Sequence, residues 1–327
     1  MPNRPLDTLE AQVGETHETV VGFDIEAGKV AEFAHAIRDP ASIYVDEAAA
    51  RAAGYDDIPA PPTFTRVSFF PHYRPGGLDQ NFGFDLGFDR EYVLHGEQRF
   101  RYERPLLVGD RLRGETTLED VFQRAGRSGG SMTFAVFRTD FFDESGELVV
   151  QALNTRIETD GAPTEATEDA SKPTGSIDVT TPGNEDSREP FGVGTVGPVV
   201  ETPDLERQDF VRYAGASGDF NPIHYDEPYA TEAGHPSVFG QGMFSAGVAS
   251  GMIRRWLGLR GLESFRARFT DRVFPGESLS VRGVVTDRSS AGSAPDDVRV
   301  DVTFEVVTRT ENRCVVEGSA SAVVDDA

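Results

Sequence analysis

Two stretches of this chain repeat one another at a fixed spacing, and nothing else in it restricts the fold as much. At an offset of 180, residues 34–47 (AHAIRDPASIYVDE) fall on residues 214–227 (AGASGDFNPIHYDE), so that Asp39 meets Asp219, Ile43 meets Ile223, Asp46 meets Asp226 and Glu47 meets Glu227. The register holds as far as Gly54/Gly234 and Phe64/Phe244. Further on the offset becomes 167, with residues 99–102 (RFRY) leading to 108–110 (VGD) and residues 266–269 (RARF) leading to 275–277 (PGE). A period this long in 327 residues means two copies of one folding unit in tandem, each long enough for its own core.

What each copy can be follows from its pattern. Segments near 112–122, 131–142 and 148–157, and near 278–286, 298–309 and 312–324, alternate Val, Phe, Thr and Leu with charged residues. That period of two is what a half-buried antiparallel sheet requires. Residues 242–258 (GMFSAGVASGMIRRWLG) are apolar nearly all round, so as a helix they must be wrapped by the sheet. The expected unit is an antiparallel sheet curled round one buried helix. In the first copy the equivalent helix, after Pro62, meets Pro71 and the run 75–77 (PGG) early. A shortened helix leaves space beneath the sheet unless Phe69, Phe70 and Phe82 refill it. Between the copies, residues 158–190 hold nine acids, two bases and almost nothing apolar, too little to offset the entropy of ordering them. The expected division is a first domain over 1–157, an acidic linker over 158–190 and a second domain over 191–327. Because a half-buried sheet leaves edges exposed, the two halves are expected to pair edge to edge, with a pocket at the seam.

The charge narrows the partners. A formal net charge of −24 repels phosphate backbones and anionic membranes, which argues against nucleic acid or lipid and for a small substrate. The acidic linker accounts for only part of it, since the remainder still carries −17. Lys29 and Lys172 are the only lysines, and acid-rich, lysine-poor usage suits a cytosol near molar salt, where self-repulsion is screened. The expectation is a salt-adapted protein, the alternative an ordinary acidic cytosolic one. Cys314 is alone, which excludes an intrachain disulfide and fits a reducing compartment. The first residues (MPNRPLDTLEAQ) lack an apolar signal region, and no window approaches the ~18 apolar residues of a membrane span. A soluble, cytoplasmic protein is expected.

Two motifs bear on chemistry. Residues 192–197 (GVGTVG) fit G-x-G-x-x-G, but a polar stretch precedes them and PVVETP follows, so no helix opens to receive a pyrophosphate. The other is the cluster around Asp219 and His224, five residues apart across a turn containing Asn221 and Pro222. Such a carboxylate and imidazole can hold and deprotonate one water between them. From spacing alone they are equally a turn former and a satisfied core histidine. His17, His35, His72, His95 and His235 show no metal-ligand spacing, and none is assigned as a ligand.

Residues 217–224 (SGDFNPIH), with Ala230 six positions after the histidine, resemble the signature of the MaoC-like, (R)-specific enoyl-CoA hydratase family of hot dog folds. Gln241, Gly242, Met243 and Ser250 fall where that family has its Gly-Met helix start and a pocket serine, with Gln241 in place of a commonly seen histidine. The first half, through residues 60–64 (APPTF) and 95–100 (HGEQRF), is similar to the degenerate N-terminal hot dog of two-domain acyl dehydratases. The resemblance implies an α+β fold class of tandem hot dogs and hydration of trans-2-enoyl thioesters to (R)-3-hydroxyacyl thioesters, or the reverse, as in fatty acid metabolism. It implies no metal or redox cofactor. Asp219 and His224 would be catalytic, Gly242 N–H would receive the thioester oxygen, and Asn221, Gln241, Met243 and Ser250 would border the pocket. Ser250 is equally read as a core serine bonded back to its helix. Tyr44 stands where the second half has His224, so one active site per chain is implied. The partner would be an acyl-CoA or acyl carrier protein thioester, and a homodimer stays open. The rivals are a mesaconyl-type hydratase of a branched dicarboxylic enoyl-CoA, which needs an arginine in the acyl tunnel, and a hot dog thioesterase or non-catalytic acyl-binding subunit.

Overall fold

Ten strands make one antiparallel sheet whose order repeats the duplication. In the first half they are β1 (Thr16–Asp24), β2 (Val93–Tyr102), β3 (Arg111–Ala125), β4 (Ser131–Phe142) and β5 (Leu148–Glu158). The second half contributes β6 (Val200–Glu201), β7 (Leu262–Phe269), β8 (Leu279–Ser290), β9 (Asp297–Thr308) and β10 (Cys314–Asp325). The order β1-β3-β4-β5-β2-β7-β10-β9-β8-β6 reads as the same five-strand sequence from either end. The structure, a computed structural model, describes residues 4–78, 81–89, 92–125, 130–159, 191–292 and 297–325. The linker expectation lies outside these except at its first two positions, where Glu158 closes β5, paired with Val93 and Thr133.

The halves join through β2 and β7, edge to edge. Arg99 lies opposite Arg266, and Phe100 opposite Phe265. Since Arg99 and Arg266 are related by the offset of 167, each half meets its own equivalent, the isologous contact of a twofold dimer made within one chain. Like charges directly opposite are unfavourable. Here Glu97 receives both guanidinium groups.

Among the described residues six α-helices accompany the sheet: α1 (Leu6–Glu10), α2 (Ala27–Ala36), α3 (Glu47–Ala52), α4 (Arg207–Ser217), α5 (Glu227–Glu232) and α6 (Gly242–Leu257). Helix α6 is the buried one, against β7 to β10, with residues buried on every face, as its all-round apolar pattern requires. The first half departs from the expected central helix. Its equivalent segment is a 3-10 stretch, Phe64–Phe69, followed by single 3-10 turns at Pro71–Tyr73 and Pro75–Gly77. Pro71 forces Phe70 to be extended (φ −60°, ψ 139°), and the chain cannot continue as a helix. Among the described residues no helix is long and apolar enough to cross a membrane.

A second contact locks the halves together. The first-half turn at Ile37 and Asp39 presses on α6 where a side chain would not fit: a Cβ on Gly247 would lie 2.4 Å from Ile37 Cγ2, and one on Gly251 3.2 Å from Asp39 Oδ2. Arg254 of α6 grips Asp39 with two hydrogen bonds of 2.8 Å, and Asp39 is only 5% exposed. Removing one partner of so buried a pair strands the other charge. Arg254→Met is expected to cost about 3 to 5 kcal/mol of stability, to be read as a lowered urea midpoint.

Candidate active site at the seam

Local sequence builds the turn that carries Asp219 and His224. Helix α4 stops at Gly218, whose left-handed backbone (φ 78°) suits glycine. Its missing side chain also leaves room for Phe70, because a Cβ at this position would lie 3.0 Å from Phe70 Cδ2. Asn221 Oδ1 then accepts from Ile223 N (3.3 Å), and Pro222 opens the 3-10 turn Pro222–His224. His224 is buried there with Nδ1 2.8 Å from the carbonyl of Phe239. A carbonyl only accepts, so Nδ1 carries the proton and Nε2 keeps its lone pair, the tautomer a general base needs. Burial pushes the His224 pKa down, only partly countered by Asp219 and the Phe239 carbonyl, so the ring is neutral at neutral pH.

Asp219 has a partner from the other half. Arg66, on the 3-10 stretch Phe64–Phe69, places Nη2 3.0 Å from Asp219 Oδ2. Burial alone would raise the Asp219 pKa, but Arg66, His224 and the Asn221 backbone N–H hold it below the ordinary carboxylate value. The pair therefore stands as carboxylate plus neutral imidazole, with the cation that balances the carboxylate supplied across the seam. Arg66 is further held by Phe69, whose ring lies 3.9 Å below its guanidinium carbon.

Arg66 also lines a cleft of about 410 Å³, part of it open to solvent, whose wall includes neither Asp219 nor His224. It occupies the place under the first-half sheet that a central helix would fill, walled by Val20, Phe100, Phe141 and Ala152, by Phe69 and Phe82, and at its second-half end by Met243. Phe69 and Phe82 line it without closing it, whereas Phe70 turns away to Phe220, 6.1 Å between centroids.

The remaining sequence-derived residues separate. Met243 is on the cleft. Gly242 is the first residue of α6, so its N–H lacks an intrahelical acceptor, and a Cβ there would lie 2.9 Å from the Phe269 ring. Three residues expected to border the pocket are held by other contacts. Ser250 is fully buried and donates to Gly247 O at 2.7 Å, a core serine bonded back to its helix. Gln241 donates to Phe210 O at 3.1 Å, tying the start of α6 to α4. Asn221 shapes the turn, as above. None of the three is on the cleft's lining, and neither are Asp219, His224 and Gly242. The G-x-G-x-x-G run opens no helix: Gly194 and Gly197 donate their N–H groups to Val285 and Gly283. Among the described residues no three His, Cys, Asp or Glu side chains cluster as metal ligands do.

Arg66 and His95 are the residues that sequence reasoning missed. His95, set aside as uninformative, is half-buried within the field of Asp219 and Arg66, its pKa pushed down to about 3 by its removal from water, Arg66 and Arg156. Its Nε2 accepts from Asn154 Nδ2 at 2.9 Å, and its ring meets Phe269 edge-on at 4.9 Å. The available signal was Arg66 itself, the one charge in residues 58–71 (IPAPPTFTRVSFFP).

The fold and seam site define a double hot dog protein. Residues 11–152 match the FAS1-like, dehydratase domain region and residues 192–308 the MaoC like domain. This chain belongs to the MaoC-like dehydratases of the two-domain type. A segment of 144 residues, 43% of the chain, is 41% identical to a UPF0336 protein of Streptomyces griseus and covers 88% of it. A UPF0336 protein of Streptomyces avermitilis is 37% identical over 141 residues, 88% of its length. A solved MaoC-like dehydratase superposes with a TM-score of 0.73 at 24% identity, over 97% of this chain and 100% of that one. A Mycobacterium tuberculosis protein described as having a double hot dog fold does so with a TM-score of 0.62 at 15% identity, over 95% and 96%. At such identities these likenesses speak for the fold.

Proposed function

We propose that the chain hydrates trans-2-enoyl thioesters to (R)-3-hydroxyacyl thioesters, or runs the reverse dehydration. The observation that carries this reading is the Asp219/His224 pair, a half-buried carboxylate and a buried neutral imidazole with a free Nε2, linked through Arg66 to the neighbouring cleft. In the forward direction a water held between them loses a proton to His224 Nε2 as its oxygen attacks C3. The electrons of the double bond move toward the thioester, whose oxygen gains charge, and C2 takes up the proton that His224 Nε2 has accepted, which returns the imidazole to its neutral form. The Gly242 N–H, at the positive end of α6, is the group suited to that oxygen. Dehydration is the same path in reverse.

The mesaconyl-type alternative has one observation in its favour, since Arg66 is an arginine on the cleft. Its charge, however, already faces Asp219. The test is loss of enoyl absorbance with crotonyl-CoA, longer enoyl-CoAs and mesaconyl-CoA, run in near-molar salt to suit the acidic composition. Turnover of the first two is expected. Thioester cleavage without hydration would point to the thioesterase instead.

A further inference from the structure

Where the offset between the halves falls from 180 to 167, the first half is thirteen residues longer than the second between Phe64 and Arg99. Phe82 lies in this longer connection, and its backbone is left-handed (φ 58°), a conformation that a bulky side chain rarely adopts. Strain of that kind persists only where the surroundings over-determine it. Here they do. His17 Nδ1 donates to Phe82 O at 3.0 Å while the His17 ring stacks on Phe84 at 4.3 Å. The Phe82 ring itself meets Phe69 at 5.5 Å and Phe137 at 5.1 Å.

The held ring stands between two apolar regions. On one side is a small hydrophobic cluster apart from the main core, in which Phe82 packs with Leu9, Phe84, Leu118 and Phe137. On the other is the cleft, whose exposed surface is mainly apolar. Of the buried residues described in that cluster, Phe82 alone is on the cleft wall. At its other end the cleft adjoins the groups given a chemical role above. Met243 on its wall follows Gly242 directly, and Arg66 on its wall bonds Asp219. Contacts then run from Arg66 to Phe69 at 3.9 Å and from Phe69 to Phe82, so the Phe82 ring is two side chains away from the Asp219 carboxylate.

We propose that this cleft takes the acyl chain of the thioester and that Phe82 is the specificity-determining residue that sets its length, the chain ending against the phenyl ring. The proposal rests on the hydratase reading of Asp219 and His224. A methylene that finds room in the cleft gains the free energy of its burial. One that meets the ring must displace a side chain packed from behind and fixed at its backbone, in an interior with little slack.

The test uses the full chain in near-molar salt with unbranched trans-2-enoyl-CoAs of four to twelve carbons. Wild-type kcat/KM should climb by up to about fourfold for each methylene newly buried, then fall once the chain reaches Phe82. Phe82→Ala should move that fall outward by about two carbons or more, raising kcat/KM about tenfold for the first chain the wild type rejects. Phe82→Leu should move it in the same direction by less, and it serves where the alanine variant does not fold. Phe137→Leu loosens the same cluster from behind without altering the cleft wall, and should leave the fall in place. A fall unmoved in a folded Phe82 variant, an equal shift in Phe137→Leu, or wild-type rates that climb to the longest chain would each overturn the length limit while sparing the hydratase reading. No turnover of any chain would remove the hydratase reading and the length limit with it.

Discussion

Replacing His224 by alanine should lower the rate of enoyl thioester hydration by about 10² to 10⁴ while the protein stays folded. The two halves of that expectation have separate grounds. The rate falls because Nε2 is the only lone pair the Asp219/His224 pair can offer to a proton at neutral pH without discharging the carboxylate. The fold survives because the imidazole makes one hydrogen bond, from Nδ1 to Phe239 O, and its ring contact with Phe239 at 5.3 Å is one of several around that phenyl group. Asp219→Asn should fall in the same range. Asparagine is the better replacement there, because alanine would also leave Arg66 without an acceptor. Rates from enoyl absorbance, with circular dichroism and a urea midpoint beside them, check both variants. A folded His224→Ala protein that hydrates at nearly the wild-type rate would show that the general base is elsewhere.

How much of this site can be read from sequence depends on whether a feature is local. The six longer outer strands follow from alternation, since each has one face on the core. Helix α6 follows from a composition that only full burial can satisfy. The turn from Gly218 to His224 follows from Gly, Asn and Pro, whose backbone preferences act within a few residues. Strands β2 and β7 are visible as repeated segments, and their mutual pairing follows from the need to cover two equivalent edges. What fails to show is whatever depends on which surface meets which. Arg66 and Asp219 are 153 positions apart, and no periodicity marks a side chain that crosses a seam. His95 and Asn154 reach one another only because β2 pairs with β5. Ser250 and Gln241 show the opposite case. Their positions along α6 are right for a pocket, but the bond each side chain makes is decided by its neighbours: a carbonyl one turn back for Ser250, and the end of another helix for Gln241.

The arginine that sequence could not place should set the pH range of the reaction. Asp219 is half-buried, and its partial removal from water by itself favours the protonated acid; Arg66, first among the charges around it, is what keeps the carboxylate ionised. Arg66→Met removes that cation and leaves the burial. The Asp219 pKa must then rise, and so must that of His224, whose protonation Arg66 also disfavours, so the acid limb of kcat/KM, set by whichever of the two protonates first in the free enzyme, should move upward. Activity should fall most on the acid side and least where the carboxylate is ionised anyway. Arg66→Lys keeps the charge but loses the planar fork, so the limb should move back toward the wild-type position even where the rate is not fully restored. A residue that merely braced the seam would lower activity equally at all pH values, with the limb unmoved in Met and Lys variants alike. A displaced limb, restored by lysine, would instead make the first half an electrostatic part of the active site. The pairing of the halves would then be required for the chemistry itself, since Asp219 and His224 on their own half would lack the cation that holds one of them charged.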